Sequence, residues 1–189
     1  MKLNNKYYIL RHGEAISNVK DIVSCWPEKF ENHLTEEGNN SVRRVVQELK
    51  TKNINLIFAS DLARTKETAE IAGNILGIKP EYDKRLREIN FGVFNSGPMS
   101  NFKKYFKNKT DRINKALPGG ESYDDVFKRV ADFFEEINNK YKGKNILIIS
   151  HQAPLFLFEG YIRDFSISET IENFPEEKML YKAELREII

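Results

Sequence analysis

Lys6-Tyr7-Tyr8-Ile9-Leu10-Arg11-His12-Gly13-Glu14 begins as an apolar run of strand length, Lys6 to Leu10, and stops abruptly in a polar tetrapeptide whose glycine allows a tight turn. The same arrangement recurs twice. Asn55 to Ala59 runs straight into Ser60-Asp61-Leu62-Ala63-Arg64, and Asn145 to Ile149 into Ser150-His151. Three short apolar strands, each followed at once by chemically capable side chains, set the terms for the rest of the chain.

Amphipathic helices fill the intervals. Thr35 is a good N-cap for a helix to about Lys50, with Val42, Val45, Val46 and Leu49 on one face. Ser60 or Asp61 can cap a second helix carrying Thr68, Ala69, Ala72, Ile75 and Leu76 and stopping at Gly77. Ser122 opens the clearest one, with Val126, Phe127, Val130, Phe134, Ile137 and Tyr141 at intervals of three and four, ended by Gly143. A further helix is predicted from Pro154 and a last strand over Met179 to Leu185. Strands alternating with such helices predict an α/β fold, a mainly parallel sheet with helices on both faces.

The bulk properties agree with one folded unit. In 189 residues, 40% are hydrophobic, 31% charged and 12% aromatic, which excludes disordered and fibrous classes. No repeat, low-complexity tract or linker divides residues 1–189, so a single domain is expected. No apolar stretch has the length of a membrane span, and Tyr7 to Leu10 is too brief for a secretory signal. A cytoplasmic chain with no membrane partner is the expectation. Cys25 stands alone, so it forms no internal disulfide and is read as a half-buried structural thiol. A net charge of +2 gives no strong field for nucleic acid.

In a parallel sheet, ligands bind outside the carboxyl ends of the strands. Arg11, His12, Arg64 and His151 would therefore share one cleft despite their separation in sequence. Guanidiniums are permanently charged forks for phosphate oxygens, and a neutral imidazole is a nucleophile at ordinary pH. This set suits phosphoryl transfer, with the arginines and a protonated second histidine neutralising the transition state without a metal. A lone histidine after a strand is more often a satisfied turn residue; four such residues at three strand ends shift the balance.

Arg11-His12-Gly13-Glu14 with Asn18, Ser60-Asp61-Leu62-Ala63-Arg64-Thr65 with Thr68-Ala69, Leu86-Arg87-Glu88 with Phe91-Gly92, Pro118-Gly119-Gly120-Glu121-Ser122, and Ser150-His151 follow one another in order. This succession resembles the signatures of the histidine phosphatase superfamily, also called phosphoglycerate mutase-like. The resemblance implies that His12 is the nucleophile, that Arg11, Asn18, Arg64 and His151 bind the phosphoryl group, and that Glu88 is the proton donor. It implies no cofactor and a small phosphorylated metabolite as substrate. The acid phosphatase branch has an aspartate directly after its second histidine, where this chain has Gln152. Glu88 is thus the donor for which the family offers a match, and the small phosphatase branch is the nearer likeness.

The pattern departs in two places. Val93-Phe94-Asn95-Ser96-Gly97 replaces a tryptophan or leucine followed by glutamate and glycine in many relatives. Ile89-Asn90-Phe91-Gly92 stands where phosphoglycerate mutases carry an Arg-x-Tyr-Gly element. Phosphomonoester hydrolysis through a phosphohistidine is therefore placed ahead of mutase-type transfer and of a non-catalytic phospho-ligand binding module.

A lid or insert is expected at about 93–117, where the family covers its pocket. From Pro98 to Leu117, Lys103, Lys104, Lys107, Lys109, Arg112 and Lys115 face a single acid, Asp111. Either they draw in a polyanionic or aromatic substrate, or they are the solvated side of a short helix whose aromatics pack inward; the second reading is favoured. His33 falls in a loop that the family places near the pocket entrance. With no close-spaced ligand pair beside the arginines, no metal site is expected. Trp26 is read as local loop packing.

Overall fold

Tyr7, Tyr8, Ile9 and Leu10 are all buried, so the first strand is covered from both sides, as the central strand of a parallel sheet must be. The computed structural model describes residues 2–108 and 110–188. Its sheet contains β1 (Lys6–Arg11), β2 (Leu56–Ala59), β3 (Glu81–Tyr82), β4 (Asn145–Ser150) and β5 (Leu185–Ile188), in the order β3-β2-β4-β1-β5. Four of these run parallel, and β5 pairs antiparallel with β1. The helices are α1 (Ile16–Val19), α2 (Glu36–Glu48), α3 (Ala63–Leu76), α4 (Met99–Tyr105), α5 (Tyr123–Lys140), α6 (Gln152–Ile162) and α7 (Ile167–Asn173).

Alternation along the strands divides the core into two layers. Tyr7, Ile9, Phe58, Ile146 and Ile148 belong to one apolar cluster with Val130, Phe133 and Phe134 of α5 and Phe158 of α6. Tyr8, Leu10, Ile57, Leu147 and Ile149 belong to the other, with Val42 and Val46 of α2 and Ala69 and Ala72 of α3. The expected α/β architecture, a mainly parallel sheet with helices on both faces, is the one observed. None of the helices is long and apolar enough to cross a membrane, among the described residues.

Two of the expected caps form. Thr35 Oγ1 accepts from Gly38 N at 2.9 Å, and Ser122 exchanges hydrogen bonds with Asp125 in a capping box. The cap expected for α3 does not. Ser60 is turned toward His151 and Asp61 toward Arg87, so α3 starts after Leu62, and the Glu28 carboxylate takes the Ala63 N–H at 3.0 Å. Its end at the left-handed Gly77 is as expected.

Three other boundaries move. Helix α5 ends at Lys140, because Tyr141 is extended, and Gly143 lies beyond it in the following turn. Helix α6 starts at Gln152, with Pro154 inside its first turn, where an N–H is dispensable. The last strand begins only at Leu185. Met179 and Leu180 are apolar because they are buried beside the cleft, and Ala183 N donates to His12 O at 3.1 Å before pairing with β1 starts. The two-residue β3 and the short α7 carry no periodic signal long enough to read.

Between Gly92 and Arg112 the chain forms two one-turn 3-10 segments, Gly92–Phe94 and Thr110–Arg112, flanking α4. Phe102 and Phe106 are buried, so the aromatics pack inward, but the basic residues are not simply a solvated side: Lys104 is exposed, whereas Lys103, Lys107 and Arg112 line the cavity described below. Lys109, one of the six basic residues, lies outside the described residues.

Candidate active site

Parallel pairing brings the three strand ends together. Arg11 is in register with Ser150, His12 N donates to Ser150 O at 3.1 Å, and Ser60 N donates to Ile149 O at 3.1 Å. The first side chains past the strands therefore converge. The His12 and His151 rings stand edge to face with centroids 5.1 Å apart, and His151 Nε2 is 3.0 Å from Ser60 Oγ. Gly13 is required here by close packing, since a Cβ would sit 2.6 Å from Gly38 O in the first turn of α2.

His12 is 2% exposed. Its Nδ1 lies 2.7 Å from Gly13 O, an acceptor only, so Nδ1 carries the hydrogen and Nε2 keeps its lone pair. Arg64 Nε–H donates to that Nε2 at 3.1 Å. Burial, followed by the charges of Arg64 and Arg11, holds the His12 imidazole well below the ordinary histidine pKa. Burial, then Arg64 and His12, does the same to His151. In the ligand-free site the second histidine is thus held toward its neutral form, whereas the protonated form expected above belongs to the transition state with a phosphoryl group bound.

Arg64 is itself fixed from two sides. Its Nη2 donates to Ser24 O at 3.1 Å and its Nη1 approaches Glu28 Oε1 at 3.5 Å. Arg11 Nη1 donates to Leu180 O at 2.9 Å, and its buried Nε has no hydrogen-bond partner. His151 Nδ1 is likewise buried and unpartnered. Unpartnered buried polar groups are rare because each one forfeits its hydration.

Glu88 lies near the same two arginines. Burial raises its carboxyl above the usual range, against the pull of Arg64 and Arg11, and Oε1 accepts from Ile89 N at 2.9 Å. The backbone carrying it is braced at several points. Ser150 Oγ donates to Leu86 O at 2.6 Å, and Arg129 Nη2 to Glu88 O at 3.3 Å. Glu121 holds Arg129 through both oxygens and accepts from Asn90 N at 2.8 Å. Gly92, at φ 54°, lets this segment pass the 118–120 turn, where a Cβ would meet Pro118 O at 2.1 Å. In the same turn a Cβ at Gly120 would meet Asn90 O at 2.3 Å, so Gly120 and Glu121 both shape the segment that follows Glu88.

A cavity of about 490 Å³ opens at this point. Arg11, His12, Asn18, Arg64 and Glu88 all line it, whereas His151 is fully buried behind His12. Asn18 Oδ1 is occupied by Ala15 N at 2.9 Å, which leaves its amide Nδ2 as the donor for the cavity. All six residues named from the sequence are therefore gathered in one place. Those that sequence reasoning missed are Ser24, Glu28 and Arg129, which touch the named residues without belonging to any strand-end pattern.

Three other residues settle elsewhere. His33 pairs with Glu67 on α3, which raises its pKa by hydrogen bonding, and it does not line the cavity. Cys25 is fully buried, not half-buried; its Sγ accepts from Phe91 N at 3.2 Å, and burial pushes the thiol up to about 11. Trp26 is half exposed, with the Arg87 guanidinium 3.9 Å from its ring centroid. Among the described residues no group of three or more His, Cys, Asp or Glu side chains could hold a metal ion.

Comparison with known proteins adds an independent line. The family model described as "Histidine phosphatase superfamily (branch 1)" matches residues 7–176. "Probable phosphoglycerate mutase GpmB" of Photorhabdus laumondii subsp. laumondii is 30% identical over 160 residues, 82% of this chain and 73% of that protein. A mycobacterial glucosyl-3-phosphoglycerate phosphatase solved with VO3 superposes with a TM-score of 0.84 at 19% identity, covering 96% of this chain and 91% of that one. YhfR of Bacillus stearothermophilus does so with a TM-score of 0.81 at 24% identity, covering 97% and 90%. At those identities the structural likeness speaks for the fold.

Proposed function

Since the chain belongs to the histidine phosphatase superfamily, we propose that it hydrolyses phosphomonoesters through a phosphohistidine formed on His12. The observation that carries this reading is the tautomer of His12: with Nδ1 held by Gly13 O, the Nε2 lone pair faces Arg64 in the cavity. An incoming phosphoryl group takes the place at Nε2 now held by Arg64 Nε. That N–H then donates to a phosphate oxygen, joined by Arg11 Nε and Asn18 Nδ2.

In the first step Nε2 attacks phosphorus as the ester P–O bond breaks, and the Glu88 proton passes to the leaving alkoxide. A positioned acid is typically worth about 10²- to 10⁴-fold in such a transfer. In the second step water attacks the phosphohistidine, gives its proton to the Glu88 carboxylate, and phosphate leaves with His12 restored. His151 starts neutral; the dianion beside it raises its pKa, so it gains a proton as the substrate seats. The guanidiniums and this imidazolium supply the positive charge, and no metal is required on this reading.

The test is phosphate release from a panel of small phosphomonoesters, with and without a chelator. Activity that disappears with chelator and returns with a divalent ion contradicts the metal-free mechanism. A second reading, mutase-type transfer, is favoured by the name of the curated relative. It predicts isomerised phosphoester in place of free phosphate from phosphoglycerate, so scoring both products in one assay separates the two.

A further inference from the structure

The Glu88 carboxylate lines the cavity, yet the hydrogen bond it accepts comes from its own neighbour, Ile89 N at 2.9 Å. Among the described residues no other hydrogen bond or ion pair holds it. Its aim is therefore inherited from the backbone beneath it. That backbone is a single 3-10 turn, Lys84–Leu86, followed by irregular chain up to Gly92, with no helix or strand ladder of its own.

Arg129 supplies the missing restraint. It belongs to α5, whose start is fixed by the Ser122 capping box and whose Val126, Val130 and Phe133 are buried in the core. From this rigid base its guanidinium reaches two carbonyls of the donor segment, Nη1 donating to Arg85 O and Nη2 to Glu88 O at 3.3 Å. The fork is locked in turn. Glu121 accepts from Arg129 Nε at 2.9 Å and Nη2 at 3.1 Å, and its Oε2 also accepts from Asn90 N at 2.8 Å. One guanidinium and one carboxylate thus tie Arg85, Glu88 and Asn90 to the start of α5 through charge-assisted bonds. The Arg85 side chain makes a further tie to α5, at Glu136 Oε2 2.8 Å away, but Glu136 is 56% exposed and the bond fixes a side chain, not the backbone under Glu88.

We infer that Arg129, locked by Glu121, is a positioning residue for Glu88: it holds the backbone so that the carboxylic acid meets the leaving-group oxygen, and it acts on proton transfer without touching the phosphoryl group. Arg129 does not line the cavity, so its influence must pass through the segment it grips. An acid delivers its proton only within hydrogen-bond reach of the leaving oxygen, and a misplacement of about 1 Å caused far from the chemistry can cost about 10²-fold. Only substrates that need the proton should feel that loss. The inference rests on Glu88 acting as proton donor in the reading above.

The experiment compares kcat/KM of the full chain on an alkyl and an aryl phosphate, with thermal unfolding recorded for every variant. Arg129→Met, which keeps the stem but no donor, is expected to lose roughly tenfold more on the alkyl than on the aryl phosphate. Arg129→Lys should recover part of that difference, and Glu121→Gln should show it in smaller measure. In the Glu88→Gln background Arg129→Met should cost little more on the alkyl phosphate, since the group it positions is already gone. Glu136→Gln, which cuts the exposed tie, should leave the alkyl-to-aryl ratio unchanged. Equal losses on both esters in Arg129→Met, a full further loss in the Glu88→Gln background, or a Glu136→Gln shift as large as that of Arg129→Met overturns the inference. If Arg129→Met fails to fold, Arg129→Lys and Glu121→Gln carry the same comparison, alone and with Glu88→Gln. A Glu88→Gln variant that loses equally on both esters, or no phosphate release at all, sinks the donor reading and the inference with it. A split in Glu88→Gln with none in the Arg129 and Glu121 variants sinks the inference alone.

Discussion

Arg64 donates its Nε–H to Nε2 of His12 at 3.1 Å, so the guanidinium and the ring nitrogen proposed as nucleophile are in contact in the ligand-free site. The Glu28 carboxylate approaches Arg64 Nη1 at 3.5 Å and accepts from the first N–H of α3.

If His12 acts as proposed, this placement makes Glu28 a positioning residue for Arg64. Glu28→Gln keeps an acceptor for Ala63 N but removes the charge that orients Arg64. We expect kcat/KM to fall by roughly tenfold, the scale of a displaced charge-assisted hydrogen bond, with weaker inhibition by phosphate. A stability loss measured by thermal unfolding, with kinetics and phosphate inhibition unchanged, would show that Glu28 serves only as a helix cap.

Stability should fall on mild acidification because two buried imidazoles are kept neutral. His12 and His151 both have folded-state pKa values below the ordinary 6.5, so the unfolded chain binds more protons in this range. The penalty starts as pH drops through 6.5 and grows until the folded-state values are passed. Thermal midpoints from pH 7.5 to 5.5 should decline more steeply in the unaltered protein than in His151→Asn. Parallel declines would mean that His151 is not held neutral. Glu88 has the opposite sign: its raised pKa contributes stability at low pH that is lost as pH rises through the folded-state value, so Glu88→Gln should stabilise the protein at pH 7.

How much of this is legible without coordinates follows from the kind of signal each residue gives. Arg11, His12, Arg64 and His151 could be found because a strand end is a sequence feature and parallel pairing fixes where strand ends go. Glu28 could not, since it sits in an aperiodic loop and acts across the cleft. Arg129 lies between the apolar positions of α5 that carry the helical signal, so nothing in that periodicity points to its reach to Glu88 O and Glu121. Met179 and Leu180 read as strand because burial against the cleft and burial in a sheet leave the same apolar text. The resting state of His151 could not be read either, because residue identity shows which charges are near but not how deeply the ring is buried.

Glu88 should reveal itself by leaving group. Glu88→Gln is expected to lose about 10²-fold or more in kcat/KM on an alkyl phosphate and much less on an aryl phosphate that leaves as the phenolate. In the unaltered protein the alkyl activity should decline as pH rises through the raised Glu88 pKa, and the variant should lack that limb. Equal losses on both substrates would remove Glu88 from the role of proton donor.

The central claim is that phosphate passes through His12, and the most direct measurement is to trap it there. Protein mixed with a labelled aryl phosphate and quenched in base should retain acid-labile, base-stable label, as a phosphohistidine does, on the peptide containing Arg11-His12-Gly13. His12→Ala should retain none and show no turnover, because no other nucleophile stands at the end of β1. A phosphoprotein that persists in His12→Ala, or label recovered on any other residue, contradicts the account.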